Sequence, residues 1–332
     1  MKVSLDFPLK SYNTFGMDVA CARFVQVDRE EEIAAMTEMF ASPHYILGGG
    51  SNTLFTGFYE GTVIHPAFGG ISSVEEDSGT VLLRVAAGEP WENLTEYCRQ
   101  NGLYGLENLT GIPGLAGSAP VQNIGAYGSE AKDCIEKVAG HLTDTLQPFT
   151  LNAAECCFGY RDSIFKRELK GKCFITHVYF RLSTRPRFNL TYKALAQAMT
   201  GREPTLDNIT ETILSIRNSK LPDLTRIGCA GSFFKNPVVG EAQLKELLDH
   251  FPDIVSYPAG PGFVKIAAGQ LIEKAGWKGR RIGDAGIYPL QALVVVNYGN
   301  AKPEEISQVY RQVVADVQNM FHITLTPEVN II

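Results

Sequence analysis

Arg161 lies in Gly159-Tyr160-Arg161-Asp162-Ser163-Ile164-Phe165-Lys166, a run dense in polar groups between apolar neighbours. A guanidinium there can grip a carboxylate through two parallel hydrogen bonds. Read alone, it is first of all a local ion pair with Asp162 or Glu155. Ser232 lies in Gly228-Cys229-Ala230-Gly231-Ser232-Phe233-Phe234-Lys235-Asn236-Pro237. Small residues let the backbone approach a ligand, two aromatics wall the hydroxyl, and Lys220, Lys235 and Asn236 can bind phosphate. The competing reading is a buried turn whose serine satisfies the backbone. Glu328, in Pro327-Glu328-Val329, offers one carboxylate in an otherwise apolar end. By itself it reads as solvated.

Two glycine-rich stretches could hold a larger ligand around these groups. Gly48-Gly49-Gly50-Ser51-Asn52 follows the apolar run Tyr45-Ile46-Leu47, which reads as a short buried strand. Its glycines can take positive φ and pass close to a ligand. Successive bare N–H groups in such a turn suit a pyrophosphate. The second stretch runs from Gly111-Ile112-Pro113-Gly114 through Ser118 to Gln122-Asn123-Ile124-Gly125-Ala126-Tyr127-Gly128. It is rich in glycine and almost without charge, which fits a loop wrapped around a large flat molecule better than a solvated connector. Either stretch alone also reads as an ordinary turn.

Other chemistries find no support. No G-x-G-x-x-G opens a helix after a strand, so a Rossmann dinucleotide domain is not indicated. There is no GxxxxGK[ST] and no G-x-S-x-G elbow. The six histidines are dispersed and no CxxC occurs, so no metal is expected. The seven cysteines are odd in number and scattered, as in a reduced cytoplasmic protein. Over 332 residues the hydrophobic share is 45% and the charged share 20%, an ordinary globular composition for two or three domains. A net charge of −6 argues against a nucleic-acid partner. No window reaches the ~18 apolar residues of a membrane span, and Met1-Lys2-Val3-Ser4-Leu5-Asp6 lacks the apolar core of a signal peptide. A cytoplasmic monomer is expected.

The elements that must position these residues alternate without strict βαβ order, so the expected fold class is α+β. Phe24 to Val27, Thr62 to His65 and Cys173 to Leu182 read as strands. Val81, Leu83 and Val85 alternate as a half-buried strand. Asp28 and Glu31 suggest a capped helix start, with Ile33, Met36 and Phe40 on one face. Pro90 opens a helix through Trp91, Leu94 and Cys98 that Gly102 can stop. Leu244, Leu247, Leu248 and Phe251 mark another helix, and Leu293 to Asn297 a strand. From Pro303, the residues Ile306, Val309, Tyr310, Val313, Val317 and Met320 form one apolar helical stripe. The pattern breaks at Thr200-Gly201-Arg202-Glu203-Pro204, and a domain boundary is expected near there.

Taken in order, these pieces resemble the UDP-N-acetylenolpyruvoylglucosamine reductase family. The matching runs are Tyr12-Asn13-Thr14-Phe15-Gly16, Leu47 to Asn52, Gly111 to Gly114, Gln122 to Gly128, Tyr160 to Ser163, Ala230 to Pro237 and Pro327 to Val329. Each is weak alone; the ordered set is specific and spans nearly the whole chain. Tyr192 and the Cys173 to Asn208 region look like the longer variant, in which a tyrosine-bearing loop closes over the substrate.

The resemblance implies a two-part FAD-binding fold of the vanillyl-alcohol-oxidase/PCMH type and a C-terminal α+β substrate domain. The expected boundaries are 1–70 joined by the tail 327–332, then 71–213, then 214–326. It implies non-covalent FAD, held by Gly48, Gly49, Gly50, Ser51, Asn52, Gly111, Ile112, Pro113, Gly114, Ser118, Gln122, Asn123, Gly125, Ala126 and Tyr127. NADPH would reduce the flavin and leave. UDP-N-acetylglucosamine enolpyruvate would then take hydride at its methylene carbon and become UDP-N-acetylmuramate, a bacterial peptidoglycan precursor. Arg161, Ser232 and Glu328 are the implied catalytic set, with Ser232 as proton donor. Tyr160, Tyr192, Lys220, Asn236 and Gln291 are the implied substrate contacts. A flavin oxidase of the same fold, or a non-catalytic flavin or nucleotide-sugar module, would share the glycine loops without needing that set.

Overall fold

A computed structural model describes residues 1–332. The fold is α+β, and the chain forms two compact units. The first comprises 1–7, 21–49 and 59–217; the second comprises 8–20, 50–58 and 218–332. The division falls inside the helix Leu206–Lys220. The pattern break at 200–204 is the turn between that helix and the short helix Lys193–Ala198.

The first unit holds two sheets. In one, the strand order is Lys2–Pro8, Ala20–Val27, Tyr59–Pro66, His44–Ile46, and Tyr59–Pro66 runs parallel to both Ala20–Val27 and His44–Ile46. The other is antiparallel, in the order Pro148–Asn152, Ile135–Leu142, Cys173–Ser183, Thr80–Ala86, Ile71–Asp77. Its core gathers Leu83, Val85, Trp91, Leu94, Val178 and Phe180, with the Trp91 and Phe180 rings edge to face at 5.8 Å. Each such side chain contributes roughly 1.5–3 kcal/mol by leaving water.

Three expectations are corrected here. Thr80–Ala86 is not half-buried: Leu82 and Ala86 are buried as well as Val81, Leu83 and Val85, so apolar side chains on both faces are out of water. Residues 28–41 are not one helix. They form the 3₁₀ turn Glu30–Ala35 and the single α-turn Thr37–Ala41, and Glu32 rather than Glu31 closes the start by accepting the Asp28 N–H at 2.9 Å. Ile33, Met36 and Phe40 still share one cluster, with Val25, Val27, Ile64 and Phe174. The helix Trp91–Gln100 begins after Pro90, and Gly102 follows its end at φ +63°, as the sequence suggests.

The second unit has an antiparallel sheet of Gly228–Cys229, Val295–Asn297, Ala285–Ile287 and Arg281–Ile282, and a three-stranded sheet of Val238–Gly240, Phe263–Ile266 and Ser256–Pro258. The helix Pro303–Phe321 lays Ile306, Val309, Tyr310, Val313 and Val317 inward. The third correction concerns its end. Met320 is exposed and Phe321 is buried in its place, since the 3.6-residue period has carried the stripe one position onward by the last turn. Near the chain's end Asn330–Ile331 pairs in parallel with Thr53–Leu54.

Candidate active site

In the first unit Gly48 and Gly49, which open the first glycine-rich stretch, lie hard against the second. A Cβ on Gly48 would lie 2.1 Å from Ser118 Oγ, and one on Gly49 would lie 2.8 Å from Gly114 Cα. A Cβ on Gly117 would lie 2.5 Å from that of Ala87. The 111–128 segment is hung from the helix Trp91–Gln100: Trp91 N–H donates to Gly114 O at 2.9 Å and its indole Nε1–H to Leu109 O at 2.9 Å. This is a cradle of bare backbone that side chains would fill, and it fits a large planar cofactor with a pyrophosphate.

The same segment carries the arginine turn. Asn123 is fully buried at φ +47° and donates its amide protons to Glu130 Oε2 and to Gly159 O, both at 3.0 Å. Its side chain therefore knots the loop to the turn before Arg161. Ser163 Oγ–H donates to Val121 O and adds a second knot. Arg161 sits at φ +53° and donates to Gly125 O at 2.6 Å, with its guanidinium 5.5 Å from the Tyr160 ring centroid. The carboxylates that sequence offers as its partners are otherwise engaged. Asp162 lies 3.4 Å from Arg167 Nε, and Glu155 accepts the Asn152 N–H at 2.8 Å.

Tyr127, at φ +49°, meets Tyr192 edge to face with ring centroids 5.4 Å apart. Its phenol and the Arg217 guanidinium also attract one another. Burial pushes the phenol up and pulls the guanidinium down, while the pair's mutual attraction opposes both shifts. A Cβ on Gly111 would come within 3.1 Å of Arg217 Nε, so this cation borders both ends of the glycine-rich segment. Sequence reasoning missed Arg217. It stands in an ordinary amphipathic helix, and its partner Tyr127 is remote in sequence.

The second unit holds Ser232, Glu328, Lys220, Asn236 and Gln291. Residues 233–235 pair with 326–328: Glu328 N–H donates to Phe233 O at 2.7 Å and Lys235 N–H to Thr326 O at 3.0 Å. That ladder sets Glu328 opposite Phe233, one residue along from Ser232. Phe233 is fully buried, with Phe234 and Tyr310 each 5.1 Å away by ring centroid. Ser232 itself is exposed, so the buried-turn reading of that serine does not hold. Asn236 Oδ1 accepts the Ala268 N–H at 3.0 Å, which fixes its amide orientation. Gln291 Oε1 accepts the Leu293 N–H at 3.3 Å, and Lys220 is exposed. Asn52 Nδ2 donates to Glu328 O at 3.3 Å and so braces the carboxylate's own backbone.

The glycine cradle of the first unit suits the cofactor of a flavin-dependent oxidoreductase. Comparison with known proteins agrees. A family model described as FAD binding domain matches residues 21–142. A second, described as UDP-N-acetylenolpyruvoylglucosamine reductase, C-terminal domain, matches residues 223–332. The proteins named UDP-N-acetylenolpyruvoylglucosamine reductase from Chromobacterium violaceum and Bacteroides fragilis are 44% and 42% identical to this chain. The first alignment covers 97% of both chains, the second 98% of this one and 99% of the relative. The crystal structure of the reductase from Thermus caldophilus is similar with a TM-score of 0.67 at 25% identity, over 99% of this chain and 98% of that one. The chain belongs to the UDP-N-acetylenolpyruvoylglucosamine reductase family, and with its FAD-binding domain it is an FAD-dependent oxidoreductase.

Proposed function

We propose that this protein reduces UDP-N-acetylglucosamine enolpyruvate to UDP-N-acetylmuramate with NADPH, as a cytoplasmic monomer serving peptidoglycan precursor synthesis. The observation that carries the reading is the exposed Ser232 beside the buried Phe233, on a segment whose Phe233 carbonyl accepts the Glu328 N–H at 2.7 Å. FAD, held by the Gly48–Asn52 and Gly111–Tyr127 stretches, supplies hydride-transfer chemistry.

The chain's own groups suit the remaining tasks. Arg161 provides fixed positive charge for an enolate developing beside a carboxylate, and such charge is worth most where water is excluded. Ser232 Oγ holds the proton for the substrate carbon that bears the carboxylate. A hydroxyl is a weak acid, but an enolic carbon is basic enough to take its proton at close range. Glu328 completes the polarising set. Tyr160 sits under the Arg161 guanidinium and shields it. Lys220, Tyr192 and Asn236 bind the diphosphate, and Gln291 a more distal part of the nucleotide sugar. Domain limits of 1–70 with 327–332, 71–213 and 214–326 accompany this reading. No helix is long and apolar enough to cross a membrane, and all seven cysteines are free thiols, which supports a reducing compartment.

The test is optical. The purified protein should be yellow, and acid precipitation should release the colour, because neither glycine stretch holds a histidine or cysteine to tether FAD. NADPH should bleach the protein under anaerobic conditions. The enolpyruvyl nucleotide sugar should then restore the colour much faster than oxygen. Rapid reoxidation by oxygen with no response to the nucleotide sugar would mark an oxidase instead.

A further inference from the structure

Asn108 lies in the 3₁₀ turn Glu107–Leu109, ahead of the glycine-rich segment, and is 1% exposed. Its Nδ2 donates to Tyr127 O at 2.8 Å and to Asn189 O at 2.8 Å. One carbonyl closes the 111–128 segment; the other lies just before Tyr192. Both acceptors are carbonyls, so only one orientation of the amide satisfies them. That orientation leaves Asn108 Oδ1 buried without a partner. A buried acceptor without a donor is costly, so the amide is held in place by what its two protons join.

A second line of contacts reinforces the joint. Asn189 Nδ2 donates to Gly128 O at 2.9 Å and to Ser129 Oγ at 3.3 Å, while its Oδ1 accepts the Thr191 N–H at 3.1 Å. Tyr127 packs with Phe188 and Leu190 against Leu195, Met199, Ile209 and Ile213. Residues 188–199 thus rest on the end of the cofactor segment through a small apolar cluster and a short set of polar stitches. Asn108 is the buried stitch among them.

We propose that Asn108 is a positioning residue that couples the cofactor segment 111–128 to the tyrosine-bearing segment 188–199. This rests on the reading that the first segment holds FAD and the second covers the nucleotide sugar. Ordering one segment orders the other, and the coupling is reciprocal: whatever tightens the cofactor loop also presets Tyr192. Asn108 touches neither ligand; it acts through the two carbonyls.

Hydrogen exchange read by mass spectrometry tests the coupling. In the wild-type protein, FAD should slow exchange in 111–128 and, with it, in 188–199. In the Asn108→Ala holoenzyme bound FAD should keep the first segment protected, while 188–199 exchanges about tenfold faster, as expected for the lost hydrogen bond to Asn189 O. KM for the enolpyruvyl nucleotide sugar should rise by a similar factor, with FAD reduction by NADPH unchanged. If FAD leaves 188–199 unaffected in the wild type, or the variant keeps that protection, the coupling is refuted. The wild-type comparison decides by itself should the variant fail to fold. Equal slowing of both half-reactions would show a merely structural role and also overturn the assignment. Absence of any FAD protection in 111–128 would instead strike the reading beneath it.

Discussion

Glycine does different work in the 48–49 and 114–117 loops of the first unit and at Gly231 of the second. At Gly48, Gly49 and Gly117 a side chain would collide with a neighbour, at 2.1, 2.8 and 2.5 Å. Those glycines exist so that chain can approach chain. Gly231, beside Ser232, has nothing within 4 Å of its would-be Cβ; only its φ of +67° asks for glycine. Here the residue shapes a turn and leaves open space in front of it. The loop glycines let segments close on one another; Gly231 shapes a turn beside an exposed Ser232.

The sharpest way to break this contrast is at the presented side chain. Ser232→Ala should slow reoxidation of the reduced flavin by the nucleotide sugar by about 10²–10⁴, the usual worth of a positioned acid. Flavin reduction by NADPH should stay nearly normal, and Ser232→Cys should recover part of the loss. Stopped-flow absorbance of each half-reaction decides; equal slowing of both would make Ser232 a flavin-positioning residue. Tyr192→Phe comes next. It should raise KM for the nucleotide sugar by the worth of one hydrogen bond to a charged group, roughly 1.5–3 kcal/mol, with kcat little changed. An unaltered KM would remove Tyr192 from the diphosphate.

The glycines test the contrast directly. Gly48→Ala should weaken FAD binding by about 1–3 kcal/mol through overpacking, and Ser118→Gly in the same chain should restore much of it. Gly231→Ala should cost only about 1–2 kcal/mol of stability from its left-handed backbone, with FAD affinity unchanged. Flavin fluorescence titrations beside thermal melts separate the two. Loss of FAD from the Gly231 variant would erase the distinction. The smallest effect concerns His65, whose Nδ1 lies 2.9 Å from Leu47 O at the start of the first glycine loop. Burial pulls its pKa below the ordinary value of 6.5. The unfolded chain then binds the proton more readily than the folded one. The neutral folded form is fully favoured above about pH 6.5, and stability falls as pH drops below that value. His65→Asn should flatten this part of the stability profile; an unchanged slope would assign it to another group.

How much of this was legible depended on range. Elements whose signals are local could be read directly, such as the Trp91–Gln100 helix, whose period and end residues agree. The failures are long-range. Leu82 looks polar-facing by alternation, and only the fold shows that it too is out of water. Asn123 stands among glycines, and nothing in that run tells that its side-chain amide joins Glu130 and Gly159. Arg217 and Asn108 carried no signal, since their significance lies in partners the sequence does not place beside them. The ion pair that sequence favours for Arg161 fails for the reverse reason: Asp162 is adjacent in sequence but lies with Arg167.

The pairing of Asn330–Ile331 with Thr53–Leu54 also bears on how the chain is made. Asn52 reaches the Glu328 carbonyl across 276 positions. During synthesis the early strand emerges on the order of tens of seconds before its partner. Through that interval it is an open edge, the kind of template on which nascent chains associate. The ribosome must therefore deliver nearly the whole chain before the second unit can seal, while most of the first unit has already emerged. Ribosome-stalled chains ending near residue 320 should be cut by protease around 50–58 and spared within 80–183. Equal resistance at both places would show that the early strand finds another cover.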